Sequence, residues 1–156
     1  IAMCYYEQIS DVIRDQAMTE LALTAFKELI IRFPDSKYTR DATLKLDLTN
    51  DHLAGKEMEI GRYYHNQGHF LAAINRFRNV VSKFETTTHV AEALHRLTEC
   101  YRALGLAEDA QKTAAVLGHN FPESKWYRDS YQMLKGVPVK EAEEQDKSWY
   151  EVWEAW

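Results

Sequence analysis

Apolar residues recur along this chain at steps of three and four, the spacing that gathers them on one face of an α-helix. The longest such stripe runs Tyr38, Ala42, Leu46, Thr49, Leu53, Ile60, Tyr64. It predicts one long helix from about Tyr38 to Asn66, roughly 43 Å from end to end at about 1.5 Å per residue. Gly55 and Gly61 fall inside it, cost about 1 kcal/mol each relative to Ala, and are the places where it would bend. Ser36 and Ser124 each stand two residues after a proline and are suited to cap the helices that follow.

The pattern also repeats. Phe26…Phe33-Pro34-Asp35-Ser36-Lys37-Tyr38 is echoed by Phe77…Phe84 and by Phe121-Pro122-Glu123-Ser124-Lys125-Trp126, with Phe33, Phe84 and Phe121 separated by 51 and 37 residues. Helix–turn–helix units of about 34 residues are the tetratricopeptide signature. Gly61, Tyr64, Ala73 and Phe77 occupy the Gly, Tyr, Ala and Phe offsets of such a unit, with Gly68 in its turn. A later unit supplies Tyr101, Gly105, Ala110 and Pro122, with Ala114 in place of the Phe; an earlier one supplies Ile13, Ala22, Phe26 and Pro34. Against a 34-residue period, Lys37 to Leu53 are 17 residues of surplus, and they continue the helical stripe. The predicted fold is all-α: a tetratricopeptide-type superhelical array over residues 1–135, closed by a last helix, Lys125 to Lys135, that covers the open end of the stack.

Charge then divides the chain. Of the formal −5, the segment 140–156 carries −4, with Lys140 and Lys147 against Glu141, Glu143, Glu144, Asp146, Glu151 and Glu154. The body is nearly neutral, so no global field draws it to nucleic acid. With 46% hydrophobic and 28% charged residues the composition is that of a folded domain, and no run approaches the ~18 apolar residues of a membrane span. Residues 136–156 read as a separate acidic tail. Its Trp149, Trp153 and Trp156 share one face if helical and need cover. That cover is the array's own surface, a partner's groove, or a membrane interface, the last opposed by the tail's charge. Cys4 and Cys100 are too few for a disulfide framework; they read as two small buried apolar residues, with a single bridge as the alternative. Ile1-Ala2-Met3-Cys4 is superficially similar to a lipoprotein cleavage site but lacks the apolar leader, so the chain reads as a fragment or processed form.

Candidate chemistry adds little. His65 and His69 are four apart but have Gly68 between them and no completing carboxylate. Glu92 and His95 form one ExxH pair where a di-iron bundle needs two. There is no Gly-rich phosphate loop, no nucleophile elbow and no convincing Ser/His/Asp set in the sequence. The reading is a binding protein without catalytic residues, metal or cofactor.

Longer strings are more specific. Arg14-Asp15-Gln16, Phe26-Lys27-Glu28-Leu29, Phe33-Pro34-Asp35-Ser36-Lys37-Tyr38-Thr39, Asp41-Ala42-Thr43, Asp51 to Met58, Gly61-Arg62-Tyr63-Tyr64, Ala72 to Phe77 and Ala114 to Leu117 resemble the BamD family, lipoprotein subunits of the outer-membrane β-barrel assembly machine of Gram-negative bacteria. The resemblance covers roughly residues 1–135 and corresponds to the C-terminal three of that family's five repeats, with the remaining repeats and the lipidated cysteine before Ile1. It implies a scaffold at the periplasmic face of the outer membrane, lipid-anchored in the full-length protein. The implied partners are the POTRA domain of BamA nearest the barrel and the other assembly-machine lipoproteins; nucleic acid is not among them. The residue it singles out is Arg76, which in this family meets an acidic POTRA residue; Asn75, Gln67, His69 and Arg62 are its candidate neighbours. Arg76 lies on the second helix of its pair, so this reading expects a partner on the outer or edge surface. A generic peptide-binding array would instead use the groove of first helices, with Met58, Arg62, His65, Asn66, His95, Glu99 and Arg102.

Overall fold

Every helix packs on its successor, in a chain of antiparallel neighbours that grows in one direction. The computed structural model describes residues 1–12 and 14–135. The array residue Ile13 and the tail with Trp149, Trp153 and Trp156 lie outside the described residues. Among those described there are seven helices and no strand: α1 (Ala2–Tyr6), α2 (Ala17–Arg32), α3 (Thr39–Asn66), α4 (Phe70–Lys83), α5 (Val90–Ala103), α6 (Ala107–Asn120) and α7 (Lys125–Lys135). Each touches the next, and α7 also packs on α5. This is the up–down stack of a tetratricopeptide-like array. None of these helices is long and apolar enough to cross a membrane.

The long helix is present, beginning at Thr39 with Tyr38 as its cap residue, and it is continuous through Gly55 and Gly61. Its stripe serves two cores in succession. Ala42 joins Ala2, Ala22 and Phe26, with Leu46 against them. Ala54 and Met58 join Ala73, Ile74, Phe77 and Val80 of α4 and Ala93, Leu97, Cys100 and Tyr101 of α5. The 17 surplus residues thus let α2 lie along the first half of α3 and α4 along the second. Tyr38 departs from the stripe: it is exposed, with Lys37 Nζ 5.0 Å from its ring centre.

The two serines differ in role. Ser124 Oγ accepts the N–H of Trp126 at 3.2 Å, immediately before α7, as an N-cap should. Ser36 Oγ accepts the N–H of Tyr38 at 3.3 Å, so it shapes the turn ahead of α3 instead of capping its first turn. The turns α3–α4 and α5–α6 close on Gly68 and Gly105 at φ +75° and +76°, a left-handed conformation that disfavours any residue with a Cβ. Both cysteines are free; Cys100 is buried and its thiol pushed up to about 12, mainly by burial, whereas Cys4 is exposed, against the expectation that both would be buried.

Close approach explains two glycines. A Cβ on Gly61 would stand 2.5 Å from Phe77 Cε1, and one on Gly118 2.5 Å from Tyr127 Cε2. Gly118 therefore sets how near α7 can lie to α6. Gly118→Ala is expected to cost about 1–3 kcal/mol by overpacking a buried ring. Faster amide exchange confined to α7 would accompany it; unchanged exchange there would contradict this role.

Candidate partner-binding surfaces

Arg76 sits where the amphipathic pattern of α4 turns from core to surface. Ala73, Ile74, Phe77 and Val80 are buried, while Arg76 and Asn79, one turn apart, lean back over α3. Both reach Glu57 of α3. Arg76 Nη1 lies 3.3 Å from Glu57 Oε1 and 3.4 Å from Oε2, and Asn79 Nδ2 donates to Oε2 at 3.0 Å. The Arg76 side chain is 39% exposed and that of Glu57 20%. Beside this trio a hollow of about 560 Å³ opens where α2 gives way to α4 along α3, lined by Leu23, Lys27, Leu53, Lys56, Lys83 and Phe84. It exists because the long α3 sets the two second helices end to end instead of side by side.

Of the residues grouped with Arg76 by sequence, Asn75 is its exposed chain neighbour. Gln67 and His69 are also exposed but belong to the turn at the far end of α4, about 10 Å along the axis at 1.5 Å per residue. Arg62 is elsewhere. It is five positions from Glu57, about 140° around α3, and faces α5.

That other face holds a charge network across the first helices. Arg62 donates to Glu92 from Nε at 2.9 Å and Nη2 at 2.7 Å, a bidentate pair, and also to Glu59. Arg96 donates to Glu99 at 2.8 Å, and Glu99 also lies 3.5 Å from both His65 Nε2 and His95 Nε2. His95 Nδ1 meets Ser130 Oγ of α7 at 2.7 Å. Trp126 tilts against His95, and its ring centre lies 5.7 Å from the guanidinium of Arg96. Burial raises the Glu99 carboxyl, but the hydrogen bonds from His95 and Arg96 outweigh it and hold the group at about 2. Glu92 is likewise held below the usual range, burial being outweighed by Arg62, and Arg62 in turn is raised by its hydrogen bond to Glu92.

This corrects the groove expected from sequence. Met58 is fully buried in the core and His95 is 5% exposed, so neither is offered to a ligand. His65 and Glu99 are half-buried inside the network; Asn66 and Arg102 are the exposed members. Ser130, His95 and Glu99 do come together, a juxtaposition invisible at a separation of 35 residues. The Ser130 hydroxyl is fully buried, so the contact fastens α7 to α5 and presents no nucleophile. Among the described residues no three His, Cys, Asp or Glu side chains converge as metal ligands would. Sequence reasoning also missed Glu57 and Asn79 as partners of Arg76. Within the network the local pairs carried a signal, Glu59/Arg62 and Arg96/Glu99 through i,i+3 spacing and Glu92/Arg96 and His95/Glu99 through i,i+4.

Comparison with known proteins shows the family. The family described as YfiO, outer membrane lipoprotein, matches residues 1–117. The outer membrane protein assembly factor BamD of Caulobacter vibrioides is 51% identical over 143 residues, covering 92% of this chain and 47% of that protein. That of Rickettsia prowazekii is 51% identical over 134 residues, 86% of this chain and 53% of the relative. That of Neisseria meningitidis serogroup A is 39% identical over 119 residues, 76% and 45%. The chain spans about half the length of the curated relatives it matches. It belongs to the YfiO family of outer membrane lipoproteins, the family of the BamD assembly factors.

Proposed function

We propose that this chain is a non-catalytic docking module of the outer-membrane β-barrel assembly machine, binding the barrel-proximal POTRA domain of BamA through the α4 surface around Arg76. In the full-length protein it works at the periplasmic face of the outer membrane behind a lipid anchor, with the other assembly lipoproteins as further partners. The observation that supports this most is the state of Arg76. Its side chain is two-fifths exposed and, among the described residues, its guanidinium is held at one nitrogen only. Such a group is ready to take a partner carboxylate through its remaining donors, and Arg–carboxylate pairs are strongest when bidentate. The groove supports a peptide reading less well: Arg62 and Arg96 there are already neutralised by Glu92 and Glu99.

The test is calorimetric titration of the chain with a purified BamA POTRA segment, with circular dichroism to verify folding. Saturable binding by the wild type should fall at least tenfold in Arg76→Glu, about 1.4 kcal/mol, and measurably in Arg76→Lys, which keeps the charge but loses the fork. A folded wild type that does not bind, or an Arg76→Glu variant that binds as the wild type does, overturns the proposal; an extended peptide bound across Arg62, His65 and Arg102 would then favour a groove-binding module.

A further inference from the structure

The guanidinium of Arg76 is not simply an exposed charge. It rests on a carboxylate that is itself fixed from the same helix that carries the arginine. Glu57 projects from α3 and receives Arg76 Nη1 at 3.3 and 3.4 Å on its two oxygens, while Asn79 Nδ2 anchors Oε2 with the shorter bond, 3.0 Å. Arg76 and Asn79 are three residues apart on α4 and so lie on one face of it. An arginine has five N–H donors in a rigid fork. Here only Nη1 is engaged, and the Nε and Nη2 donors meet no acceptor among the described residues.

We infer that Glu57, buttressed by Asn79, is a positioning residue for the docking arginine: it holds Nη1 so that the Nε–Nη2 edge of Arg76 is presented, pre-oriented, to a carboxylate on the partner. The inference rests on the docking role proposed for Arg76. Without this hold a long side chain would have to surrender its rotamer freedom on binding, and that loss weakens a complex. Pairing at one nitrogen and at the long end of hydrogen-bonding distance fits a hold that steers without competing. A tight bidentate pair would occupy the edge the partner needs.

The sign of one mutation separates positioning from charge. Glu57→Gln removes a negative charge from a surface that meets an acidic partner. Acting through charge alone, it would raise the association rate and tighten the complex. Acting through position, it weakens it. In titrations and stopped-flow measurements against the POTRA segment, Glu57→Gln is expected to reduce affinity about threefold to tenfold. The loss lies in the dissociation rate, with the association rate unchanged or higher. Asn79→Ala, which leaves the charge alone, is expected to act in the same direction and more weakly. On an Arg76→Ala background Glu57→Gln should have no further effect, since the two act as one unit. Matching thermal melts for the wild type and Asn79→Ala keep a folding defect apart from a positioning one.

Tighter or unaltered binding by Glu57→Gln, alongside loss of binding in Arg76→Glu, overturns the positioning role and leaves the docking surface standing. Additive effects of Glu57→Gln and Arg76→Ala overturn it as well. Failure of the folded wild type to bind overturns both.

Discussion

Phe77→Ala is expected to destabilise the array by about 3–5 kcal/mol, the cost of emptying a fully buried aromatic site whose walls relax only in part. Phe77 has no solvent exposure, lies midway along α4, and packs within the core built from Met58, Ala73, Val80, Leu97 and Tyr101. That core unites α3, α4 and α5, so the loss reaches beyond one hairpin. Since whole domains are stable by only about 5–15 kcal/mol, much of the margin would go. Gly61→Val approaches the same contact from the other side. Its Cβ would fall 2.5 Å from Cε1 of a ring that has no free space to enter, and about 1–3 kcal/mol of overpacking follows. The two sites are coupled, because the clash is with ring atoms: Gly61→Ala should cost less on a Phe77→Leu background than on the wild type. Urea unfolding of the wild type, Phe77→Ala, Gly61→Ala, Phe77→Leu and the Gly61→Ala/Phe77→Leu double variant decides the matter. A Phe77→Ala cost below about 1 kcal/mol, or strict additivity of Gly61→Ala with Phe77→Leu, would show that this helix pair does not carry the array.

Gly61 and Phe77 were legible in the sequence because a repeat imposes its small-residue and aromatic positions wherever a hairpin must close. The long helix was legible for a similar reason. An apolar stripe at steps of three, four and seven cannot be sustained over some 28 residues unless one helix presents it to a continuous wall. What the stripe could not reveal is that the wall changes midway, from Phe26 of α2 to Ile74 and Phe77 of α4. The hollow between those two halves is a product of helix offset; the 17-residue surplus marks the offset in the sequence, but nothing there marks the hollow.

Site chemistry was less legible than fold, because partners that decide it are far apart in the chain. Glu57 and Arg76 are separated by 19 residues, Arg62 and Glu92 by 30, His95 and Ser130 by 35. Arg76, Arg62 and the Glu92/His95 pair stood out in the sequence, but their partners across the stack did not, because only the packed helices bring them side by side. Met58 shows the opposite error. Its place on a first helix suggested the groove, yet the helix turns it inward beside Ala54, where a flexible thioether fills the core. A first helix of such a repeat has a core side as well as a groove side, and position within the unit alone does not tell them apart.

Acid is expected to loosen the groove face, with Glu99 as a principal site. Its folded carboxyl is held at about 2, against an ordinary value of 4.5. A depressed folded pKa means that the unfolded chain takes up the proton first. The stabilisation is therefore complete above about pH 4.5 and is lost progressively as pH falls from there toward 2. At about 1.4 kcal/mol per unit, and with the side chain a quarter exposed, the group contributes about 2–3 kcal/mol at neutral pH. Glu92, also held low, adds to the wild-type slope in the same direction. Glu99→Gln should remove its share at pH 7 and flatten the fall between pH 4.5 and 2, so that the two stability curves converge in acid. Unfolding free energies measured at pH 7, 4.5 and 3 test this, and parallel curves would refute it. The convergence matters for the architecture because Glu99 gathers Arg96, His65 and His95, and His95 in turn holds Ser130. Through Glu99 and its partner His95, α3, α5 and α7 share a polar seam, and protonating that carboxylate weakens the seam where the groove is braced.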